Sequence, residues 1–159
     1  MTIRKRKIQA NYLKVGEAFE LLGTGFTELN ENPSAQTTSK RYINQSSSSQ
    51  SITGYEWATP FNADQIVSEA AIEHIRDIGE MQLTGAGAEA EYVIVDLDKA
   101  ALTTGFRARK FMVAIAVDSF DDNDGDLAVS GSFLGMTDPV EGTFDSATKT
   151  FTDEFTPAV

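Results

Sequence analysis

Apolar and polar residues alternate along much of the second half of the chain, which is the pattern of β-strands with one buried face. The clearest run spans 107–120, where Phe111, Val113, Ile115 and Val117 fall on one face and small or apolar residues fall on the other. Because both faces are largely apolar, we expect a central strand packed on both sides. Similar patterns predict strands over 17–29, 53–61, 89–97, 127–134, 140–145 and 149–154. Pro60 is expected to end the strand over 53–61.

One segment has helical periodicity instead. Asn62 and Gln65 have the spacing of a capping box, which predicts a helix over 63–78 that ends at Gly79. Its apolar stripe would be Val67, Ala71, Ile75 and Ile78, with His74, the single histidine, at the edge of the helix–sheet interface. About seven strands and one helix predict a mainly β fold, either a β-sandwich or a small barrel with one flanking α-helix.

A long polar segment interrupts this pattern between two predicted strands. Residues 30–51 form a longer connection than the roughly 4–6 residues usual in compact domains. The segment has no Cys, no His and no acid after Glu31, so it lacks the groups of ordinary acid–base or metal chemistry. We therefore expect a loop that contacts another molecule, and its most polar part is Ser46, Ser47, Ser48, Ser49, Gln50 and Ser51.

Composition limits the class of protein. The 159 residues, 41% of them hydrophobic, suit a single domain over 1–159. The chain has no cysteine, so disulfides and thiolate metal sites are excluded. Its basic start lacks the apolar core of a signal peptide, and no run approaches the ~18 apolar residues of a membrane span. We therefore expect a protein that is made in a cytoplasm and stays soluble there, without direct membrane insertion.

Charge is distributed unevenly. Arg4, Lys5, Arg6 and Lys7 form a basic stretch within an N-terminal arm, 1–15, whereas residues 8–159 hold 9 basic and 24 acidic side chains. An acid-rich surface repels the phosphate backbone, so DNA binding is not expected. Three interpretations of the basic stretch remain open: a solvated tail, a nucleic-acid arm, and an arm that docks on acids of another copy.

Catalytic and cofactor signatures are absent from the sequence. There is no nucleophile elbow and no phosphate-binding loop, and one histidine alone forms no triad, so we expect no enzymatic activity and no cofactor. The acidic residues Asp121, Asp122, Asp124 and Asp126 suggest a calcium site, but the calcium-loop pattern places Phe120 and Gly131 at ligand positions. A solvated hairpin tip without a metal is the expectation.

Several segments in succession resemble the major tail protein family, the tail-tube subunits of long non-contractile-tailed bacteriophages of Gram-positive hosts. The resemblance rests, in order, on 25–29 before the long loop, on 40–44 within it and on 52–56 after it, followed by 109–120 and 142–145. Together these segments extend over roughly 21–152, and none of them is a catalytic signature.

The resemblance implies a structural virion protein of the phage tail. Hexameric rings of this protein would stack into a tube around a tape-measure protein, and the tube would contact tail tip or terminator proteins. The tube would be the conduit for genome ejection, through which double-stranded DNA passes without specific binding. It also implies contacts between subunits or rings through 3–15, 32–51 and 151–159. The candidate contact residues are Arg4, Lys5, Arg6, Lys7, Lys40, Arg41, Tyr42, Ser46, Ser47, Ser48, Ser49, Gln50, Phe151 and Phe155.

Two alternatives remain open from the sequence. The first is the inner tube protein of a contractile injection system or phage-derived bacteriocin, which has the same fold and stacking within a sheath. The second is a small β-sandwich ligand-binding module, with Tyr42, Tyr55 and Trp57 as a stacking platform. Because an alternating strand buries one face, we expect these aromatic residues to belong to the core.

Overall fold

A computed structural model describes residues 1–158. Over these residues the chain forms eleven strands, one α-helix and two short 3-10 helices, Arg6–Ile8 and Gly85–Ala88. The strands are β1 (Gln9–Val15), β2 (Ala18–Leu21), β3 (Phe26–Leu29), β4 (Ala35–Lys40), β5 (Ser49–Tyr55), β6 (Ala58–Asp64), β7 (Glu89–Ala100), β8 (Phe106–Asn123), β9 (Asp126–Gly135), β10 (Val140–Asp145) and β11 (Thr150–Thr152), and the helix α1 is Ala70–Glu80.

Seven strands form the main path of an antiparallel sheet in the order β2-β1-β7-β8-β9-β6-β3. The sheet curls into a half-barrel, and the β10–β11 hairpin joins it through β8. The predicted fold class, mainly β with about seven strands and one flanking helix, is therefore confirmed.

The central strand is β8, as its two apolar faces predict. Along one edge it pairs with β7 over Phe106–Ala114, and along the other it pairs first with β10 and then with β9. Phe111, Val113 and Ile115 are buried on the face that packs towards α1. The 18-residue strand β8 therefore pairs with three strands, more than any other strand in the described part of the chain.

Two apolar clusters lie on opposite faces of the sheet, because successive side chains of a strand alternate between faces. The larger cluster lies beneath α1, which contributes Ala71, Ile72, Ile75 and Ile78. The smaller cluster lies beneath the β10–β11 hairpin, where the Phe144 ring centroid is 4.5 Å from that of Tyr12 and 5.6 Å from that of Phe19. Helix and hairpin thus cover the two faces.

The predicted start of the helix is wrong. Residues 58–64 form β6, in which Phe61 and Ala63 are buried and Asn62 pairs with Ser130 of β9. The side-chain amide of Gln65 donates to the Ala128 carbonyl oxygen instead of capping a helix. Pairing of β6 with strands on both edges therefore overrides the local capping signal.

Two further details of this region differ from the prediction. Pro60 lies inside β6, where its carbonyl oxygen accepts a hydrogen bond from the Asn30 amide at 3.2 Å. Val67 precedes α1 and is exposed. Gly79 lies within α1, where a Cβ would approach the Phe120 ring and a Val117 methyl group to 2.7 Å, so this glycine permits close helix–strand packing instead of ending the helix. His74 is half-buried on α1, as expected.

Candidate functional site

The predicted long loop is a β-hairpin. β4 and β5 pair from Ala35–Tyr55 to Lys40–Ser49 and form a two-stranded sheet separate from the main one, with 41–48 as its tip. Every residue of β4 is exposed, and β5 is exposed except at Gly54. The expectation of a loop is wrong for 35–40 and 49–55, because β-strands can form from polar residues when backbone pairing, and not burial, holds them.

This hairpin continues the edge ribbon of the main sheet. Beyond the β3–β6 ladder, Asn32 and Ala58 exchange two backbone hydrogen bonds of 2.8 and 3.0 Å, and the Glu56 amide donates to the Ser34 carbonyl oxygen at 3.0 Å. Ser34 has a φ of 52°, so the backbone bends as the ribbon leaves the body. At about 3.3 Å per residue, the six residues of β4 are roughly 20 Å long.

The hairpin exposes apolar side chains as well as polar ones. Tyr42, Ile43, Ile52 and Tyr55 are 58%, 109%, 58% and 62% exposed. An isolated two-stranded hairpin is at best marginally stable in water, because it cannot bury an apolar face. The β4–β5 hairpin is therefore a surface that a second molecule would stabilise.

A clasp of three side chains holds the base of the hairpin to the body. The Arg109 guanidinium donates to both carboxylate oxygens of Glu31 at 2.8 and 3.0 Å, and the Trp57 indole N–H donates to the same carboxylate at 2.7 Å. Partial burial alone would raise the pKa of Glu31, but these hydrogen bonds outweigh it and the pKa lies below its ordinary value. Glu31 is thus ionised at neutral pH and fixes the ribbon to β8.

A cavity of about 500 Å³ lies beside this clasp, and its lining includes Tyr55, Trp57, Arg109, Phe111 and Pro139. The Trp57 ring stacks on Phe111 with centroids 4.2 Å apart, so one of its faces is already covered. The expectation of core aromatic residues holds for Trp57 but is wrong for Tyr42 and Tyr55, which are exposed on the hairpin.

The structure places the predicted contact residues of the long loop on one element. Lys40, Arg41, Tyr42, Ser46, Ser47, Ser48, Ser49 and Gln50 all lie on the β4–β5 hairpin or its tip, and all are exposed. Lys40 and Ser49 form the last strand pair before the tip. Over residues 1–158, Lys40 and Arg41 make no ion pair within the chain.

The N-terminal arm is shorter than the predicted 1–15, because Gln9–Val15 is strand β1 of the main sheet. Arg4 lies along the chain's own β7, where it bonds both carboxylate oxygens of Asp98 at 2.9 and 3.0 Å and one oxygen of Asp96 at 3.1 Å. Arg6 donates to the Gln9 carbonyl oxygen and to the Asn11 side chain. Lys5, Arg6 and Lys7 are all exposed, and none of them forms an ion pair in the described part of the chain.

Asp96 connects this arm to the body. It is almost fully buried, and its second carboxylate oxygen accepts a hydrogen bond from Arg107 at 2.8 Å. Burial would raise the pKa of Asp96, but the hydrogen bonds from Arg4 and Arg107 outweigh it and hold the pKa below its ordinary value. This pairing could not be predicted from the sequence, since Arg4 and Asp96 are 92 residues apart.

The C-terminal contact candidates lie partly against the chain itself. Phe151 is half-buried on β11, with the Lys110 ammonium 5.0 Å from its ring centroid. Phe155 is half-buried in the segment that follows, which bonds to the β7–β8 connection through the Leu102 amide and the Thr156 carbonyl oxygen at 2.8 Å. Both rings therefore keep some exposed surface next to an anchored backbone.

Three features bear on other classes of function. Among residues 1–158, no group of three or more His, Cys, Asp or Glu side chains is arranged to hold a metal ion. No helix within that range is long and apolar enough to cross a membrane. The acidic residues 121–126 surround the two-residue turn of the β8–β9 hairpin, where Asp124 and Gly125 have positive φ, as mirror-image hairpin turns require.

Comparisons with known proteins add one finding. No family model matches the chain, and no curated protein matches it. Among solved structures, the chain is similar to a chain of "Tail of empty GTA particle computed with helical refinement, C6 symmetry", with a TM-score of 0.58 and 13% sequence identity. The match covers 86% of this chain and 97% of that one. At this identity the similarity shows a shared fold.

Proposed function

We propose that this protein is a structural subunit of the tail tube of a bacteriophage or phage-like particle, and that it acts as a hexameric ring. One observation carries the proposal: almost the whole length of a chain from a C6-symmetric tail particle has the same fold. Sixfold rings that stack coaxially would form the tube, with a tape-measure protein inside and tail tip or terminator proteins at its ends.

The projecting hairpin supports assembly independently of that similarity. It is a two-stranded ribbon with no buried residue and with exposed Tyr42, Ile43, Ile52 and Tyr55. Large apolar side chains grouped on one element mark an interaction surface more often than a free one. A neighbouring copy would bury them and satisfy the open edges of β4 and β5.

Charge supports the role of a conduit. Outside the arm (1–8) and the segment 32–55, the chain carries seven cations and all 24 of its acids. Five of those cations, Lys14, Arg76, Arg107, Arg109 and Lys110, are already paired with acids of the same chain. A lumen formed by such a surface would repel phosphates, so DNA would pass through without being held.

The ligand-binding alternative receives less support. A stacking platform needs an open aromatic face, but the Trp57 ring stacks on Phe111 and its indole N–H is used by Glu31. Tyr42 lies at the tip of the hairpin and Tyr55 at its base, so the three rings do not form one surface. A structural role for the chain explains its exposed hairpin better than a binding module does.

Electron microscopy tests the proposal directly. Purified protein, concentrated in buffer of low ionic strength, should form rings or tubes with a sixfold end view, and the monomer should remain in dilute solution. Tubes of another symmetry would contradict the hexameric ring. A protein that stays monodisperse at high concentration, with or without preformed tail tips as nuclei, would contradict the assembly function.

A further inference from the structure

The N-terminal arm, residues 1–8, lies against the body of its own subunit. Two arginine side chains hold it there, Arg4 on β7 and Arg6 beside β1. Residues 1–7 are all exposed, and within 1–158 residues 1–4 form no backbone hydrogen bond. The arm is therefore attached by guanidinium contacts and not by the burial of an apolar face.

Beside Arg6 the sheet has a seam. The sheet path ends at β2 and β3, which only residues 22–25 connect, so the curled sheet brings β3 near β1. In the part of the chain that the structure describes, β3 pairs with β6 alone, and residues 9–11 of β1 pair with β7 alone. Between these two free edges lies a groove of about 640 Å³, whose lining includes Arg6, Phe26 and Leu29.

The Arg6 guanidinium bridges this seam. On the β1 side it donates to the Gln9 carbonyl oxygen at 2.8 Å and to the Asn11 side-chain oxygen at 2.6 Å. On the β3 side it lies 3.5 Å from the Leu29 carbonyl oxygen. Unpaired strand edges are templates for pairing with another chain, and charged side chains are one means by which proteins block them. A strand that added to β3 at Leu29 would meet the Arg6 side chain.

Arg4 anchors the arm by contacts that can be released. It donates to both carboxylate oxygens of Asp98 at 2.9 and 3.0 Å and to one oxygen of Asp96 at 3.1 Å. The side chains of Arg4 and Asp98 are 54% and 32% exposed, so both can return to water. Asp96 is 5% exposed, but its other oxygen keeps the hydrogen bond from Arg107 at 2.8 Å. Release of Arg4 thus leaves no buried charge without a partner.

We propose that the arm is an autoinhibitory strap. In the isolated subunit, Arg4 latches the strap to β7 and thereby keeps Arg6 in the seam, where it covers the free edge of β3. Release of Arg4 frees that edge for pairing with a strand of a second copy, so the latch restrains assembly. The restraint rests on the proposed tail-tube function, whereas the latch is a property of the isolated subunit.

Mobility of the arm in the monomer tests the latch. The chain has no cysteine, so Thr2→Cys gives a single site for a nitroxide label, whose mobility is measured by electron paramagnetic resonance in dilute solution. The label should be restricted in the wild-type background and mobile in R4Q and in D98N. K5Q is the matched control for R4Q, because Lys5 is the adjacent cation and forms no ion pair within the described residues. Added salt should mobilise the label in the wild type but change little in R4Q, since salt screens exposed charges.

Assembly of the unlabelled proteins tests the restraint. R4Q should form oligomers at a roughly threefold or more lower protein concentration than the wild type, because an exposed latch is weak and only its contribution is lost. K5Q should assemble at the wild-type concentration. R6Q should also assemble more readily than its own control K7Q, since Arg6 is the side chain that lies in the seam. Sedimentation velocity and light scattering measure these concentrations, and thermal unfolding checks that each variant is folded.

Two sets of results would overturn the strap. An immobile label in R4Q, or an equal gain of mobility in K5Q, would show that Arg4 is not the latch. Assembly of R4Q at the wild-type concentration or above would show that the latch restrains nothing. Neither result affects tube formation by the wild type, on which the proposed function depends. If neither the wild type nor R4Q assembles, the proposed function and the restraint both fail, while the label still decides the latch.

Discussion

Removing the charge of Glu31 should loosen the hairpin from the body. Glu31→Gln keeps the size of the side chain but removes the carboxylate that accepts two hydrogen bonds from Arg109 and one from Trp57. The side chains of Glu31 and Arg109 are 22% and 24% exposed, so the pair lies between an exposed and a buried ion pair. Exposed pairs contribute up to ~1 kcal/mol, and breaking a buried pair costs ~3–5 kcal/mol.

We therefore expect Glu31→Gln to lower the free energy of unfolding by about 2 kcal/mol at neutral pH. For a chain of this size that corresponds to a fall in Tm of about 4–8 °C. The assay is thermal and urea unfolding of the monomer, followed by circular dichroism. Glu17→Gln is the matched control, because Glu17 is exposed and should be neutral.

The pH dependence has a defined sign. The pKa of Glu31 lies below its ordinary value of 4.5 in the folded protein, so the folded state favours the charged carboxylate. Its stabilisation is complete above that ordinary value and is lost as pH falls through the folded pKa. The stability difference between the wild type and Glu31→Gln should thus be constant near neutrality and shrink as pH falls below 4.5.

A double-mutant cycle with Arg109→Gln tests whether the two residues act as a pair. The double variant should be less destabilised than the sum of the single variants, since each single change already breaks the bidentate contact. Additive effects, or a wild-type Tm for Glu31→Gln at neutral pH, would refute the clasp. A difference that persists unchanged in acid would show that the carboxylate charge is not its source.

Other parts of the structure give shorter predictions. Replacing 35–55 by a short turn should leave a folded monomer, because no residue of that segment is buried, and loss of the folded monomer would contradict this prediction. In the intact protein, the backbone amides of β4 and β5 should exchange hydrogen quickly in the monomer but slowly in assemblies. Gly131→Ala should abolish folding or lower the free energy of unfolding by several kcal/mol, since the new Cβ would overlap the Ala116 carbonyl oxygen. Gly54→Ala is the control and should be neutral, because the space around Gly54 is open. Equal denaturation midpoints for the two variants would rule out this packing constraint.

Strands with strong alternation were predictable because burial on the sheet dictates their pattern. The run over 107–120 predicted β8, and the turn at Asp124 and Gly125 predicted the β8–β9 hairpin. The helix start was not predictable, since Asn62 and Gln65 match a local capping motif that pairing with β9 overrides. Local signals compete with long-range pairing that a single sequence does not reveal.

The sequence marked 30–51 as a polar, exposed segment but did not reveal that most of it lies in a β-hairpin. Exposed polar residues between 35 and 55 have no buried face, so their pairing leaves no hydrophobic periodicity to detect. Contacts distant in sequence, such as Arg109 with Glu31 and Arg4 with Asp96, depend on strand order and were also missed. The absence of acids from 1–8 and 32–55 was visible in the sequence, whereas the pairing of 35–40 with 49–55 was not.

The length of β8 has a mechanical consequence. A force that pulls the two ends of β8 apart acts along the axis of this strand, and its antiparallel neighbours β7, β9 and β10 lie along the same axis. Inter-strand hydrogen bonds of an antiparallel pair lie perpendicular to the strands, so such a force loads many of them at once in shear and does not open them one after another. The subunit should therefore resist stretching along its long axis far better than peeling at the edge strands β2 and β3.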